Sequence, residues 1–205
     1  KQIGWKGFME GQDSGVYQAT PLSRLNASDG MATPLAQVEY ERMYSTLGGK
    51  PVHATLAMHW ARLIELLYSA ERCLELAQDA DITGKELRAQ LGSIPGEGVG
   101  IVEAQRGTLT HHYMTDNKGL VNKVNIIVGT TNNHAAISMS LKKAAKGLIR
   151  KGVEVTEGTL NMIEMAFRAY DPCFSCATHR LPGQMPMILE VRDSKGEMTQ
   201  RVIRN

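Results

Sequence analysis

The sequence lacks any run of about 18 uninterrupted apolar residues, the length a helix needs to cross a bilayer. Its most apolar helical stretch, Ala54 to Ala70, is broken by His59, Arg62 and Glu65, so no membrane span is expected. A dominant charge is equally lacking. Lysine and arginine number 23 against 21 acids, which leaves no broad electrostatic attraction for nucleic acid or an anionic membrane. Cysteine is scarce, three in 205 residues. That excludes a disulfide scaffold and reads as a cytoplasmic chain with reduced thiols. The opening Lys-Gln-Ile-Gly-Trp-Lys has neither a methionine nor the charged-then-apolar pattern of a signal peptide, so a truncated chain or internal fragment is expected. What is present suffices for a core: 42% of residues are hydrophobic and 21% charged, as in one large domain or two small ones.

Residues 1–33 show little periodicity and read mostly as loop. Thr33-Pro34 reads as an N-cap with proline at the first helical position. Leu35, Val38, Met43 and Leu47 then form an apolar stripe that ends at Gly48-Gly49. A longer helix is expected from Pro51 to about Asp79, with Leu56, Trp60, Leu63, Leu67 and Ala70 on its inner face. Cys73 falls on that stripe and reads as a small buried hydrophobe without a role. A further helix is expected over Thr83–Leu91. After Pro95-Gly96-Glu97-Gly98 the pattern turns to period two. It predicts strands over Gly100–Ala104, Thr108–Thr115 and Leu120–Val128, with Asp116-Asn117-Lys118-Gly119 as a hairpin turn. Helices follow over about Asn133–Lys151 and Thr156–Ala169, the second stopped by Asp171-Pro172. Met187–Arg192 and Met198–Ile203, around Asp193-Ser194-Lys195-Gly196, read as a second hairpin. Lys142, Lys143, Lys146 and Arg150 read as a solvated helix face. The class is α+β, mainly helical with β-hairpins.

Cys173-Phe174-Ser175-Cys176-Ala177-Thr178-His179 is the segment with chemistry. Two thiols three apart close on one metal, and thiolates select zinc, nickel, copper(I) or iron over magnesium or calcium. Spacing alone leaves three readings. Structural zinc needs four ligands, which His111, His112 or Cys73 would have to complete. A thioredoxin-like redox pair lacks its surrounding βαβ pattern. The third reading is an incidental pair of buried thiols.

Other segments add to this one. Asp171-Pro172-Cys173-Phe174-Ser175-Cys176-Ala177-Thr178-His179 resembles the C-terminal metal-binding signature of nickel–iron hydrogenase large subunits, D-P-C-x-x-C-x-x-H. Glu103-Ala104-Gln105-Arg106-Gly107-Thr108 is similar to that family's E-A-P-R-G-T, followed by the also familiar His111-His112-Tyr113. Val128-Gly129-Thr130-Thr131-Asn132-Asn133 resembles its pocket-lining strand-to-helix turn. Ser14-Gly15-Val16-Tyr17, Asp29-Gly30-Met31-Ala32-Thr33-Pro34 and the stretch from Asn161 to Tyr170 extend the likeness over essentially the whole chain. The branch it most resembles is the cytoplasmic F420-non-reducing, viologen-reducing hydrogenases that partner heterodisulfide reductase.

The resemblance implies the C-terminal portion of the hydrogenase large-subunit fold and reversible heterolysis of dihydrogen at a nickel–iron centre whose iron carries carbon monoxide and cyanide. By position, Cys173 corresponds to a terminal nickel ligand, Cys176 to a bridging one and His179 to a magnesium ligand. The family's other cysteine pair lies in an R-x-C-G-x-C motif that this sequence does not contain. Arg106 and Asp171 correspond to a catalytic pair above the open metal position, with Thr130 and Thr131 as donors to cyanide. Gln105 stands where the family has proline, adding an N–H and backbone freedom. Residues 1–179 would form the large-subunit part. Residues 180–205 would form an extension removed by a maturation protease. No iron–sulfur motif is present, so electrons are expected to leave through an iron–sulfur small subunit. Further partners would be heterodisulfide reductase and its electron-transfer subunit. The alternatives are a complex I-like relative that kept the fold without the metal, and a structural zinc protein.

Overall fold

The computed structural model describes residues 6–11, 14–90, 92–178, 184 and 186–204. The chain divides into two units, one ending at Pro172 and one beginning at Cys173. The first contains α1 (Pro21–Ala27), α2 (Pro34–Thr46), α3 (Ala57–Gln78), a 3-10 turn (Ala80–Thr83), strands β1 (Glu97–Ala104), β2 (Gly107–Thr115) and β3 (Val121–Ile127), then α4 (Gly129–Leu148) and α5 (Glu157–Arg168). The second contains the short α6 (Phe174–Thr178) and the hairpin of β4 (Met187–Arg192) and β5 (Met198–Arg204). The α+β class expected from the sequence is the one observed.

β1, β2 and β3 form an antiparallel meander with β2 in the centre. The β2–β3 turn forms for the expected reason. Asp116 Oδ1 accepts from the amides of Lys118 and Leu120, and Gly119 takes φ +80°, which costs glycine little. α5 starts where Thr156 caps it, its hydroxyl accepting from the Thr159 amide. α1 was not legible in residues 1–33. It starts at Pro21, behind a Thr20 side chain that accepts from the Ser23 amide.

Several helical expectations are corrected. The inner face of α2 is Ala36, Tyr40, Met43 and Tyr44, whereas Leu35, Val38 and Leu47 are exposed. The two tyrosines win because their hydroxyls find partners: Tyr40 donates to the Ser28 carbonyl at 2.9 Å and Tyr44 pairs with Asn26 Oδ1 at 2.9 Å. Pro51 does not start α3. Asn26 pairs with both the amide and carbonyl of Val52, at 3.0 and 2.7 Å, and so holds that segment out of the helix. α3 then buries Ala57, Met58, Ala61 and Ile64, with Trp60 and Leu67 partly covered, while Leu56, Leu63 and Ala70 are exposed. Cys73 is also exposed, not buried, because it lies beyond the packed half of the helix. The helix expected over Thr83–Leu91 is absent from the described part of that span. Lys85–Gln90 are all exposed, so an apolar face has nothing to pack on, and Leu91 lies outside the described residues. α4 begins at Gly129, four residues earlier than expected.

The core of the first unit gathers Leu22, Leu25, Tyr40, Met43, Met58, Ile64, Ile137 and Tyr170 from α1, α2, α3, α4 and the end of α5. α2 lacks a side-chain cap of its own, and Glu71 on α3 supplies one. Its carboxylate accepts from the Thr33 hydroxyl and from the amides of Leu35 and Ala36, at 2.7, 3.1 and 3.0 Å. Among the described residues no helix is long and apolar enough to cross a membrane. Lys142, Lys143, Lys146 and Arg150 are exposed, as expected of a solvated face.

Candidate metal centre and its arginine–aspartate pair

Arg106 sits in the two-residue turn between β1 and β2, a turn closed by tight backbone packing. Gly107 has φ +142°, and a Cβ there would lie 2.2 Å from the Ala19 carbonyl oxygen. A Cβ on Gly129 would lie 2.8 Å from the Gly107 nitrogen. Only glycines let these three backbones meet. The side chain of Asn133, 1% exposed, ties the crossing together. It accepts from the Ala19 amide at 2.8 Å and donates to the carbonyls of Ala19, Arg106 and Gly129 at 3.2, 2.9 and 3.3 Å.

The Arg106 guanidinium points to the end of α5. Its Nε donates to the Asp171 carbonyl at 2.7 Å and lies 3.2 Å from Asp171 Oδ2. Asp171 takes φ +50°, a left-handed conformation uncommon for a non-glycine residue. The turn is stabilised by its own amide, which donates to the Arg168 carbonyl at 2.9 Å. Residues 65 apart in sequence are thus brought into charge-assisted contact, the pairing that the resemblance implied. Gln105 is exposed, and its carbonyl accepts from Arg24 Nη2 at 3.1 Å. Thr130 is buried in the first turn of α4, and Thr131 beside it is exposed.

Three participants were missed in the sequence: Arg24, Arg62 and Glu65. Arg24 forms a bidentate pair with Glu65, Nε to Oε1 at 2.7 Å and Nη2 to Oε2 at 2.6 Å, and also donates to the Ala104 carbonyl at 2.9 Å. Burial pulls the Arg24 pKa down, but the Glu65 and Glu103 carboxylates outweigh it and the net shift is upward. Arg62 donates from both Nη atoms to the Ala169 carbonyl, 3.1 Å each. Burial lowers its pKa, and neighbouring Asp171 only partly offsets this. The available signal was the pair of charges interrupting the apolar stretch of α3.

In the second unit, Cys173 and Cys176 lie at the start of α6 with Cα atoms 5.3 Å apart and their sulfurs joined as a disulfide. The reduced thiols expected from the sequence are therefore not the form observed. A single helical turn suffices to bring them together. The Ala177 amide donates to the Cys173 carbonyl at 3.1 Å, and the Cys176 amide lies 3.4 Å from Cys173 Sγ. The donor set fits half of a four-thiolate metal site, since two soft sulfurs already converge and two-electron reduction would free them as thiolates. Among the described residues no group of three or more His, Cys, Asp and Glu side chains forms a metal cluster. His111 and His112, considered as zinc ligands, are engaged with Tyr113 and Glu97 at 2.9 and 2.7 Å. His179 lies outside the described residues.

Residues 14–179 match the family described as nickel-dependent hydrogenase. The chain belongs to that family. It is 50% identical over its whole length to the F420-non-reducing hydrogenase iron-sulfur subunit of Archaeoglobus profundus, of which it covers 42%. It is 41% identical to the NAD-reducing hydrogenase HoxS subunit beta of Cupriavidus necator, over 92% of this chain and 39% of that one. Among solved structures, an NAD+-reducing nickel–iron hydrogenase in the H2-reduced state aligns with TM-score 0.76 and 45% identity, over 82% of this chain and 37% of that one. The hydrogenase chain thus spans about two-fifths of the length of these relatives, and the large-subunit fold implied by the sequence is the fold it has.

Proposed function

We propose that this chain is the C-terminal part of the catalytic large subunit of a nickel–iron hydrogenase and takes part in the reversible heterolysis of dihydrogen to two protons and two electrons. The observation that carries the reading is the convergence of the Cys173 and Cys176 sulfurs at one helical turn, in a chain of this family. An external dithiol opens the disulfide by thiol–disulfide exchange, giving up two electrons and two protons and becoming a disulfide itself, and both thiols are freed. As thiolates, Cys173 and Cys176 would hold the nickel–iron group, together with two further thiolates that this sequence does not supply. The bound nickel–iron group, its iron carrying carbon monoxide and cyanide, supplies the chemistry that splits dihydrogen.

The chain's own residues orient and hold charge. Arg106, fixed by Asp171 at 3.2 Å, presents a guanidinium that polarises dihydrogen. A guanidinium carries donors and no acceptor, which leaves a cysteine thiolate as the favoured proton acceptor. Thr130 and Thr131, in the first turn of α4, donate to cyanide. Gln105 adds a backbone N–H next to Arg106. His179 holds a magnesium ion. Three cysteines fall short of the four ligands of an ordinary iron–sulfur cluster, so electrons leave to an iron–sulfur small subunit. From there they pass to heterodisulfide reductase through its electron-transfer subunit, in the cytoplasm. A maturation protease removes residues 180–205 after nickel is loaded.

Isotope exchange tests the reading. The assembled, reduced protein placed under D2 in ordinary water is expected to release HD, the signature of heterolytic cleavage. Protein that holds nickel and iron yet forms no HD contradicts the proposal.

A further inference from the structure

Arg62 and Glu65 interrupt the packed face of α3 one turn apart, and each reaches one of the two segments carrying the Arg106–Asp171 pair. Arg62 grips the end of α5: both Nη atoms meet the Ala169 carbonyl, while Nε, buried and without a hydrogen-bond partner, faces Asp171 Oδ2 at 4.0 Å. A guanidinium at a helix C-terminus satisfies a carbonyl the helix leaves open and complements its dipole. Glu65 reaches the other segment through Arg24, which donates to the carbonyls of Ala104 and Gln105, the two residues before Arg106.

We propose that Arg62 and Glu65 are positioning residues, the two arms of a bracket on α3 that sets how Arg106 and Asp171 face each other. Asp171 at φ +50° persists only where its surroundings over-determine it, and Arg62 bonds the carbonyl two residues before it while its Nε lies 4.0 Å from the carboxylate. The arm through Glu65 holds the β1–β2 turn at the carbonyls of Ala104 and Gln105. Neither arm contacts the reacting atoms. Both act through Arg106 and Asp171, so the proposal rests on the role given to that pair above.

The test uses the assembled protein with Arg62→Gln, Arg62→Lys and Glu65→Gln, read by amide exchange, nickel content and hydrogen uptake. Arg62→Gln is expected to speed amide exchange of Tyr170 and Asp171 about tenfold and to lower kcat about 10- to 100-fold, with KM for hydrogen and nickel content unchanged. Arg62→Lys recovers part of the loss, and Glu65→Gln moves exchange at Ala104–Arg106 instead. In an Arg106→Lys background, Arg62→Gln adds no further loss. Wild-type exchange and turnover in Arg62→Gln overturn the bracket, as does an additive loss in the double variant or a loss of nickel. If Arg106→Lys and Asp171→Asn themselves leave turnover intact, the role of the pair fails, and the bracket fails with it.

Discussion

Arg106 is held by Asn133, 27 residues away, and by Asp171, 65 residues away. Cys173 and Cys176, three residues apart, are joined to each other, and the Ala177 amide donates to the Cys173 carbonyl four residues away. The Arg106–Asp171 contact is thus a product of tertiary packing, while the cysteine pair lies within one helical turn. Perturbing the core should disable the first side along with stability. The second should be removable without cost to the fold of residues up to Pro172.

Removal of a sulfur tests that separation most severely. Cys176→Ala is expected to abolish nickel retention and to lower hydrogen uptake by on the order of 10³-fold or more, with amide protection up to residue 172 unchanged. Elemental analysis and hydrogen exchange check the two halves of this statement. Asn133→Ala should do the reverse. It leaves the Ala19 amide and three carbonyls without their partner in a buried crossing, at a cost of about 2–4 kcal/mol. Denaturant unfolding should show the loss, and oxidation–reduction of Cys173 and Cys176, followed by thiol labelling, should be unaffected.

Smaller effects sharpen the contrast. Burial raises the Glu71 pKa, but the hydrogen bonds from Thr33, Leu35 and Ala36 outweigh it and the folded-state pKa is lowered. Its contribution to stability is therefore present above the ordinary carboxylate range near pH 4.5 and is lost as pH falls through the depressed value. Glu71→Gln should lower the melting temperature at pH 7 and flatten its fall in acid, as thermal melts across pH 2–7 would reveal. The smallest change is expected of Gln105→Pro, which keeps the carbonyl that Arg24 grips and should alter stability by less than about 1 kcal/mol. Hydrogen uptake and the infrared bands of the diatomic ligands report whether glutamine loosens the pocket. Unchanged values would discard that idea.

The two sides also differed in how legible they were. The cysteine pair could be read from spacing, since three residues is one helical turn, and the meander could be read from β-branched alternation and Asp116–Gly119. Turn chemistry and period act locally. The inner faces of α2 and α3 could not be read that way. Tyr40 and Tyr44 are buried because partners from distant residues accept or donate to their hydroxyls, and Leu35, Val38 and Leu63 are exposed although more apolar. The Arg106–Asp171 contact was anticipated only through resemblance. Arg62 and Glu65 were visible in the sequence merely as charges breaking the apolar stretch of α3, and Arg24 lay among residues read as loop. Cys73 shows the same limit: a residue on a stripe is buried only where something packs against that part of the helix.

Metal analysis of the purified, assembled protein tests the central claim most directly. Nickel together with iron, both lost in Cys173→Ser, is the predicted result. Zinc alone, or no metal in the unaltered protein, would contradict it.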